Sequence, residues 1–118
     1  MAASPSIPVP DLQLTTERQP DRVIVRGTGR INASTADQFQ STIRTLIHEN
    51  KRVVVDLTEI EYIDSSGLGA MVSIYLAAGR AGCMLELQNP KQRVRDLFKL
   101  TKLANLFDTR TENYFGDF

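Results

Sequence analysis

Apolar and polar residues alternate in two short segments near the start of the chain, and a period of two is typical of half-buried β-strands. The first segment is Asp11–Glu17 and the second is Arg22–Gly27. Gln19–Asp21 lies between them and has the composition of a turn. The pattern therefore predicts an antiparallel hairpin, whose second strand is broken or bulged at Gly27–Gly29.

The next apolar residues recur at the spacing of one helical face. They are Phe39, Ile43, Leu46 and Ile47. Ser34 with Asp37 three residues later is similar to a capping box, so we expect the helix to begin at Ser34. We expect this helix to end at Asn50, with His48 in its last turn.

A strand–helix–strand unit follows. Arg52–Leu57 contains three consecutive valines, which indicates a central strand covered on both faces. A helix is predicted over Ser66–Arg80 and another strand over Cys83–Leu87, so the two strands should be parallel and joined by a right-handed crossover. The buried face of this helix is predicted to contain Leu68, Met71, Val72, Tyr75 and Leu76.

A third helix is predicted to start at Asn89, with Pro90 at its first position. Its inward residues are expected to be Val94, Leu97 and Phe98. Later apolar anchors are Leu103, Leu106 and Phe107, and a last strand near 107–110 is left open. Together these elements predict an α/β fold, a mixed sheet of four to five strands with packed helices, in a single domain.

Composition limits the classes of function. The 118 residues suffice for one domain: we expect an extended or disordered lead-in over 1–10, the domain over 11–112 and a tail over 113–118. The net charge is zero, so no basic face for nucleic acid is implied. A single cysteine, Cys83, fits a reducing, cytoplasmic setting. Neither a membrane-spanning run nor a secretory signal is apparent.

Candidate chemistry is concentrated in Ile60–Gly69, which links the valine strand to the second helix. Asp64, Ser65 and Ser66 are good helix starters, because a short side-chain oxygen can accept a bond from a free amide of the first turn. A hydroxyl there also lies in an environment that suits a phosphate. Ser65 is therefore either a helix cap or a phosphate carrier. The two following glycines indicate either close approach by a partner or a tight turn.

Other reactive residues favour plainer interpretations. No carboxylate pair, Ser–His–Asp set or metal-ligand cluster is evident, so we expect no enzymatic activity and no cofactor. His48 is interpreted as a surface residue and Cys83 as a small buried hydrophobe. A basic series is interpreted as a solvated face, with an acidic partner surface as the alternative. It comprises Lys91, Arg93, Arg95, Lys99 and Lys102.

Asp64–Gly69, after the Val53–Leu57 strand, resembles the STAS domain and specifically the bacterial anti-sigma factor antagonists. The order of elements agrees from Leu12 to Arg110. The resemblance implies that Ser65 is phosphorylated by a serine kinase that is also the anti-sigma factor. The unmodified protein would bind that partner, and a phosphatase would reverse the modification. The residues expected to contact the partner are Asp64, Ser66, Gly67, Leu68, Gly69, Arg30 and Asn32.

One stretch departs from this family pattern. Members commonly have Gly-Glu-(apolar)-Asp after the second strand, where this chain has Gly29-Arg30-Ile31-Asn32. Two carboxylates are missing and one position has reversed its charge, so the partner must differ in its charge pattern, or kinase recognition is weakened or lost. The alternative is a constitutive interaction subunit of a stress-signalling or lipid-transport complex. The oligomeric state, monomer or weak dimer, stays open.

Overall fold

The computed structural model describes residues 10–100. Within this range the chain forms a four-stranded sheet. The strands are β1 (Leu12–Gln19), β2 (Arg22–Ile31), β3 (Arg52–Ile63) and β4 (Met84–Gln88). The helices are α1 (Ala36–Glu49), α2 (Ser65–Ala81) and α3 (Gln92–Leu100). The α/β prediction is confirmed with four strands in this part of the chain; the segment 107–110 lies outside the described residues, as do 1–9 and 113–118.

The sheet is mixed, with strand order β1-β2-β3-β4. β1 and β2 are antiparallel, whereas β3 is parallel to both β2 and β4. The predicted hairpin and the parallel β3–α2–β4 unit are therefore confirmed. β2 is bulged as expected, with register shifts between Arg26 and Thr28 and between Gly29 and Arg30, but it continues to Ile31. A side chain at Gly29 is excluded by its φ of +117° and by the Asp11 carbonyl oxygen 2.0 Å from where a Cβ would lie.

The core lies between the sheet and the helices, and hydrophobic burial there is the main stabilising contribution. All four apolar residues predicted for α1 are buried. In α2 the prediction is correct for Leu68, Met71 and Tyr75, but Val72 is only half-buried and Leu76 is 46% exposed. Ile74 is fully buried instead, because α2 packs against α1 as well as the sheet and its buried face is turned accordingly.

The predicted start of α1 is wrong. Ser34 lies in a turn, and the cap position belongs to Thr35, whose side chain makes no hydrogen bond to the first turn of the helix. Thr35 Oγ1 instead donates to the Arg30 carbonyl oxygen at 2.8 Å and accepts from the Asn32 amide at 2.9 Å. The helix start is therefore fixed by bonds back to the end of β2 and not by a capping box with Asp37.

The predicted start of α3 is also wrong. Asn89 has a left-handed φ of +56°, and the helix begins at Gln92. The first amide donors of the helix bond to the Lys91 carbonyl oxygen, from Val94 at 2.9 Å and from Arg95 at 3.0 Å. The inward residues are as expected: Val94 and Phe98 are buried and Leu97 is half-buried. The anchors Leu103, Leu106 and Phe107 lie outside the described residues.

Candidate functional site

The site forms where β3 passes directly into α2. Ile60–Ile63 belong to β3, so the prediction that the strand ends at Leu57 is wrong, and Asp64 alone separates strand from helix. β2 and β3 end side by side, with Ile31 opposite Ile63. The Asp64 amide extends this pairing by donating to the Ile31 carbonyl oxygen at 3.2 Å.

Asp64 caps α2. Its backbone is extended (φ −100°), and its Oδ1 accepts from the Gly67 amide at 3.0 Å. Its carbonyl oxygen accepts the first intrahelical bond, from Leu68 at 2.9 Å. A carboxylate in this position satisfies a free amide and interacts favourably with the helix dipole. The alternative in which Ser65 or Ser66 caps the helix is therefore wrong, and α2 begins at Ser65, one residue earlier than expected.

The two serines are exposed on the first turn of α2. Within residues 10–100, neither hydroxyl forms a hydrogen bond. Because Asp64 already supplies the cap, neither hydroxyl is needed to start the helix. The hydroxyl of Ser65 is thus accessible to another protein, as any modification of this residue would require.

The two glycines of the motif differ in environment. Gly67 is buried, and a Cβ there would lie 2.4 Å from the Ile31 carbonyl oxygen and 2.6 Å from Ile63 Cγ2. Because Gly67 has no side chain, α2 can pack against the ends of β2 and β3. Gly69 is exposed, and a Cβ there would meet nothing within 4 Å. Packing inside the domain explains Gly67 but does not explain Gly69.

A groove of about 660 Å³ opens beside Ser65, between the end of β3, the first turn of α2 and α3. Its lining residues from β3 and α2 are Tyr62, Ile63, Asp64, Ser65 and Leu68. Its lining residues from α3 are Arg93, Val94, Asp96, Leu97 and Leu100. Tyr62 is 48% exposed and Leu100 is 80% exposed, so the groove offers apolar as well as charged surface to a partner.

Cations surround a carboxylate at the end of β3. Lys91 Nζ donates a hydrogen bond to Glu61 Oε1 at 2.6 Å. This bond and the lysine charge lower the pKa of Glu61, and the charges of Arg30 and Arg93 lower it by smaller amounts. The same hydrogen bond raises the pKa of Lys91. In the described part of the chain, the guanidinium groups of Arg30 and Arg93 form neither hydrogen bonds nor ion pairs.

The two residues that depart from the family pattern lie differently. Arg30 is exposed and pairs in register with Tyr62, so it lies near the groove. Asn32 is half-buried, and its Oδ1 accepts from the amide of Ser34 at 2.9 Å and from its hydroxyl at 2.8 Å. Asn32 therefore builds the turn before α1, whereas the Arg30 side chain is available at the surface.

Sequence reasoning placed Ile60–Gly69, including Tyr62, in the candidate stretch, but it did not place Arg93 or Leu100 there. The position of Arg93 follows from the packing of α3 beside β3, and no local motif indicates it. Elsewhere, His48 is exposed, Cys83 is buried, and burial raises the pKa of the Cys83 thiol. Lys102 of the basic series lies outside the described residues.

Residues 10–100 contain no group of three histidine, cysteine or carboxylate side chains placed to hold a metal ion. The same residues include no helix with the length and apolar character needed to cross a membrane.

The family model for the STAS domain matches residues 13–115, which is most of the chain. The chain belongs to the STAS domain family, as its sequence led us to expect. An anti-sigma-B factor antagonist of Listeria monocytogenes is 28% identical over 95 residues, covering 80% of this chain and 83% of that protein. The anti-sigma-B factor antagonist of Bacillus subtilis is 23% identical over 106 residues, covering 90% and 97% of the two chains.

Solved structures share the fold. The anti-sigma factor antagonist SpoIIAA in its unphosphorylated form superposes with a TM-score of 0.67 at 21% identity, covering 79% of this chain and 84% of that one. A putative anti-sigma factor antagonist from Thermotoga maritima gives a TM-score of 0.71 at 23% identity, covering 78% and 80%. A structure of SpoIIAA in its phosphorylated form also superposes, with a TM-score of 0.63 at 20% identity, covering 79% and 86%.

Proposed function

We propose that this protein is an anti-sigma factor antagonist. It binds an anti-sigma factor that is also a serine kinase, is switched off by phosphorylation at Ser65, and thereby regulates sigma-dependent transcription. The observation that carries the proposal is the exposed hydroxyl of Ser65, directly after the capping Asp64, which forms no hydrogen bond with any of residues 10–100. The names of the relatives in Listeria and Bacillus support the class of partner.

The charge argument explains how such a switch would act. A phosphoserine adds about −1.5 to −2 charges at neutral pH. At Ser65 this charge would lie beside Asp64 and in a groove that also contains Asp96. A partner covering the site would have to desolvate the phosphate, and its own acidic groups would be repelled. Each tenfold loss of affinity requires only about 1.4 kcal/mol, so we expect the repulsion and desolvation caused by one phosphate to release the partner.

The partner surface consists of the first turn of α2 and the neighbouring end of β2. Ser66, Gly69 and Arg30 are exposed and would make direct contacts. Asp64, Gly67 and Leu68 contribute by fixing the helix start, and Asn32 contributes by fixing the turn before α1.

Nothing in this role requires a cofactor or a catalytic group, so the protein acts by binding and not as an enzyme. A phosphatase would restore the binding form. The cytoplasm follows as its location because its partner controls transcription there.

Phosphorylation can be tested with purified protein. The chain would be incubated with ATP and each candidate anti-sigma kinase of the same genome, and the modified residue identified by mass spectrometry. We expect a single phosphate on Ser65, lost in Ser65→Ala and retained in Ser66→Ala. Absence of phosphate with every candidate kinase would remove the switch.

Partner release can be tested separately. Ser65→Asp should keep the fold and abolish binding to the kinase, measured by calorimetry. Ser41→Asp adds the same charge at an exposed position of α1 and should bind normally. Undiminished binding by Ser65→Asp would contradict the charge argument.

A second candidate function rests on Arg30. This exposed arginine stands where the family commonly has a glutamate, which favours a constitutive interaction subunit of a stress-signalling or lipid-transport complex. The unmodified first turn of α2 would then be a permanent docking surface. Affinity purification that returned an ATPase or transporter subunit in place of a kinase would support this alternative.

A further inference from the structure

Arg93 belongs to α3, yet it lines the same groove as Ser65. Asp96, three residues later on the helix, also lines the groove, but its Oδ1 accepts from Gln92 Nε2 at 2.7 Å and forms no ion pair with Arg93. No other described residue bonds to the Arg93 guanidinium. The groove beside Ser65 therefore holds a cation that forms no hydrogen bond or ion pair with any of residues 10–100, although its charge contributes to the lowered pKa of Glu61.

We propose that Arg93 binds the phosphate once Ser65 is modified, a role that rests on the proposed function. Guanidinium groups match phosphate geometry through two parallel N–H bonds, and such charge-assisted pairs are about twice as strong as neutral hydrogen bonds. The pair would tie the first turn of α2 to α3. It would also cover part of the apolar lining that Tyr62 and Leu97 give to the groove, so modification would remove partner surface as well as add charge.

The other cations near the site are less suited to this role. Lys91 is already paired with Glu61 at 2.6 Å, and Arg95 Nε donates to the Pro90 carbonyl oxygen at 3.3 Å. Arg30 and Lys99 are exposed but do not line the groove. Among the described lining residues, Arg93 is the only basic one.

Two carboxylates oppose the pairing. Asp64 and Asp96 line the groove, and a negative neighbour raises the second pKa of a phosphate because it disfavours the dianion. A nearby guanidinium has the opposite effect and lowers that pKa. The pKa of the phosphate therefore depends on both the two carboxylates and the guanidinium. The change in that pKa when Arg93 is replaced measures the contribution of the guanidinium alone.

The test uses the full chain with phosphoserine inserted at position 65 during translation, so that no kinase is required. The second pKa of the phosphate is measured by ³¹P NMR titration. We expect Arg93→Gln to raise that pKa by about 0.5 pH units, since the loss of one opposite charge at a partly exposed site has an effect of this order. Arg93→Lys should restore part of the difference. Lys99→Gln, which removes the same charge from an exposed position of the same helix, should leave it unchanged.

A second position provides the matched control. Ser66 is exposed on the same turn but does not line the groove, so phosphoserine at position 66 should titrate identically with and without Arg93→Gln. The proposed pairing would be wrong if Arg93→Gln left the phosphate pKa at position 65 unchanged. It would also be wrong if Arg93→Gln shifted the phosphate pKa equally at positions 65 and 66. Either result would leave phosphorylation of Ser65 unaffected, whereas a failed search for a kinase would remove the proposed function without changing this measurement.

Discussion

Two neighbouring helix starts use their polar side chains in opposite ways. α1 and α2 follow the ends of β2 and β3, which lie side by side in the sheet. Before α1, Thr35 is buried and its hydroxyl both donates and accepts hydrogen bonds, and the Asn32 oxygen accepts two more. Before α2, the local side-chain bond that the described residues make is the one from the Gly67 amide to Asp64, and the hydroxyls of Ser65 and Ser66 are exposed.

The two helix starts therefore differ in the role of their polar groups. Those before α1 stabilise the fold, whereas the serine hydroxyls at the start of α2 do not. A buried hydroxyl with two partners cannot be modified without disrupting the structure, because its hydrogen bonds would be lost and its partners left unsatisfied. An exposed hydroxyl without partners can receive a phosphate while the domain stays folded. The start of α1 is therefore a structural turn, and the start of α2 is a surface available for regulation.

The largest effect is expected from Gly67→Ala, because the added methyl group would lie 2.4 Å from the Ile31 carbonyl oxygen. Separating α2 from the strand ends should lower the free energy of unfolding by about 2–4 kcal/mol. Gly69→Ala is the matched control: its methyl group meets nothing, and replacing a helical glycine should raise the free energy of unfolding by about 0.5–1 kcal/mol. Urea denaturation measures both, and equal effects would contradict the packing role of Gly67.

A smaller effect is expected from removing the hydroxyl of Thr35. Thr35→Val keeps the shape but leaves the Arg30 carbonyl oxygen and the Asn32 amide without this partner, which should cost about 1–3 kcal/mol in free energy of unfolding. Ser65→Ala removes a hydroxyl from the equivalent end of the next strand and should change the free energy of unfolding by less than about 0.5 kcal/mol. A large cost for Ser65→Ala would show that its hydroxyl is structural.

Removal of the Asp64 cap of α2 should lower the free energy of unfolding by a smaller amount still. Asp64→Ala leaves the Gly67 amide without its acceptor, and loss of an N-cap typically costs about 0.5–2 kcal/mol. Asp64→Asn retains the capping oxygen and should recover most of that stability. If Asp64→Asn were as unstable as Asp64→Ala, the contribution of Asp64 would come from its charge and not from the hydrogen bond.

Much of this fold is readable from local patterns, because the period of apolar residues depends on which face is buried. The hairpin, the apolar face of α1 and the parallel crossover all follow from that period. Helix starts are less predictable, since several oxygens compete for the same free amides. Ser34 and Asn89 have suitable side chains for capping, but Ser34 lies in a turn held by local bonds to Asn32, and Asn89 has a left-handed backbone.

The candidate site was predictable only where it is contiguous in sequence. Asp64–Gly69 forms a motif that local rules interpret, and the cap, the exposed serines and the bare Gly67 lie within it. The α3 side of the groove depends on how a helix about 30 residues later packs against the end of β3. Arg93 therefore resembled the other residues of the basic series until the fold placed it in the same groove as Ser65.

The smallest expected effect concerns the carboxylate at the end of β3. The pKa of Glu61 is lowered in the folded protein by its bond to Lys91, so this group stabilises the fold above its unfolded pKa, and the stabilisation is lost as pH falls from that value through the folded pKa. Lys91→Gln should raise the pKa of Glu61 in an NMR titration. Arg93→Gln and Arg30→Gln should raise it less, because they act only through charge. If neither arginine variant moved the titration, Arg30 and Arg93 would lie too far from this end of the sheet to influence the charge there.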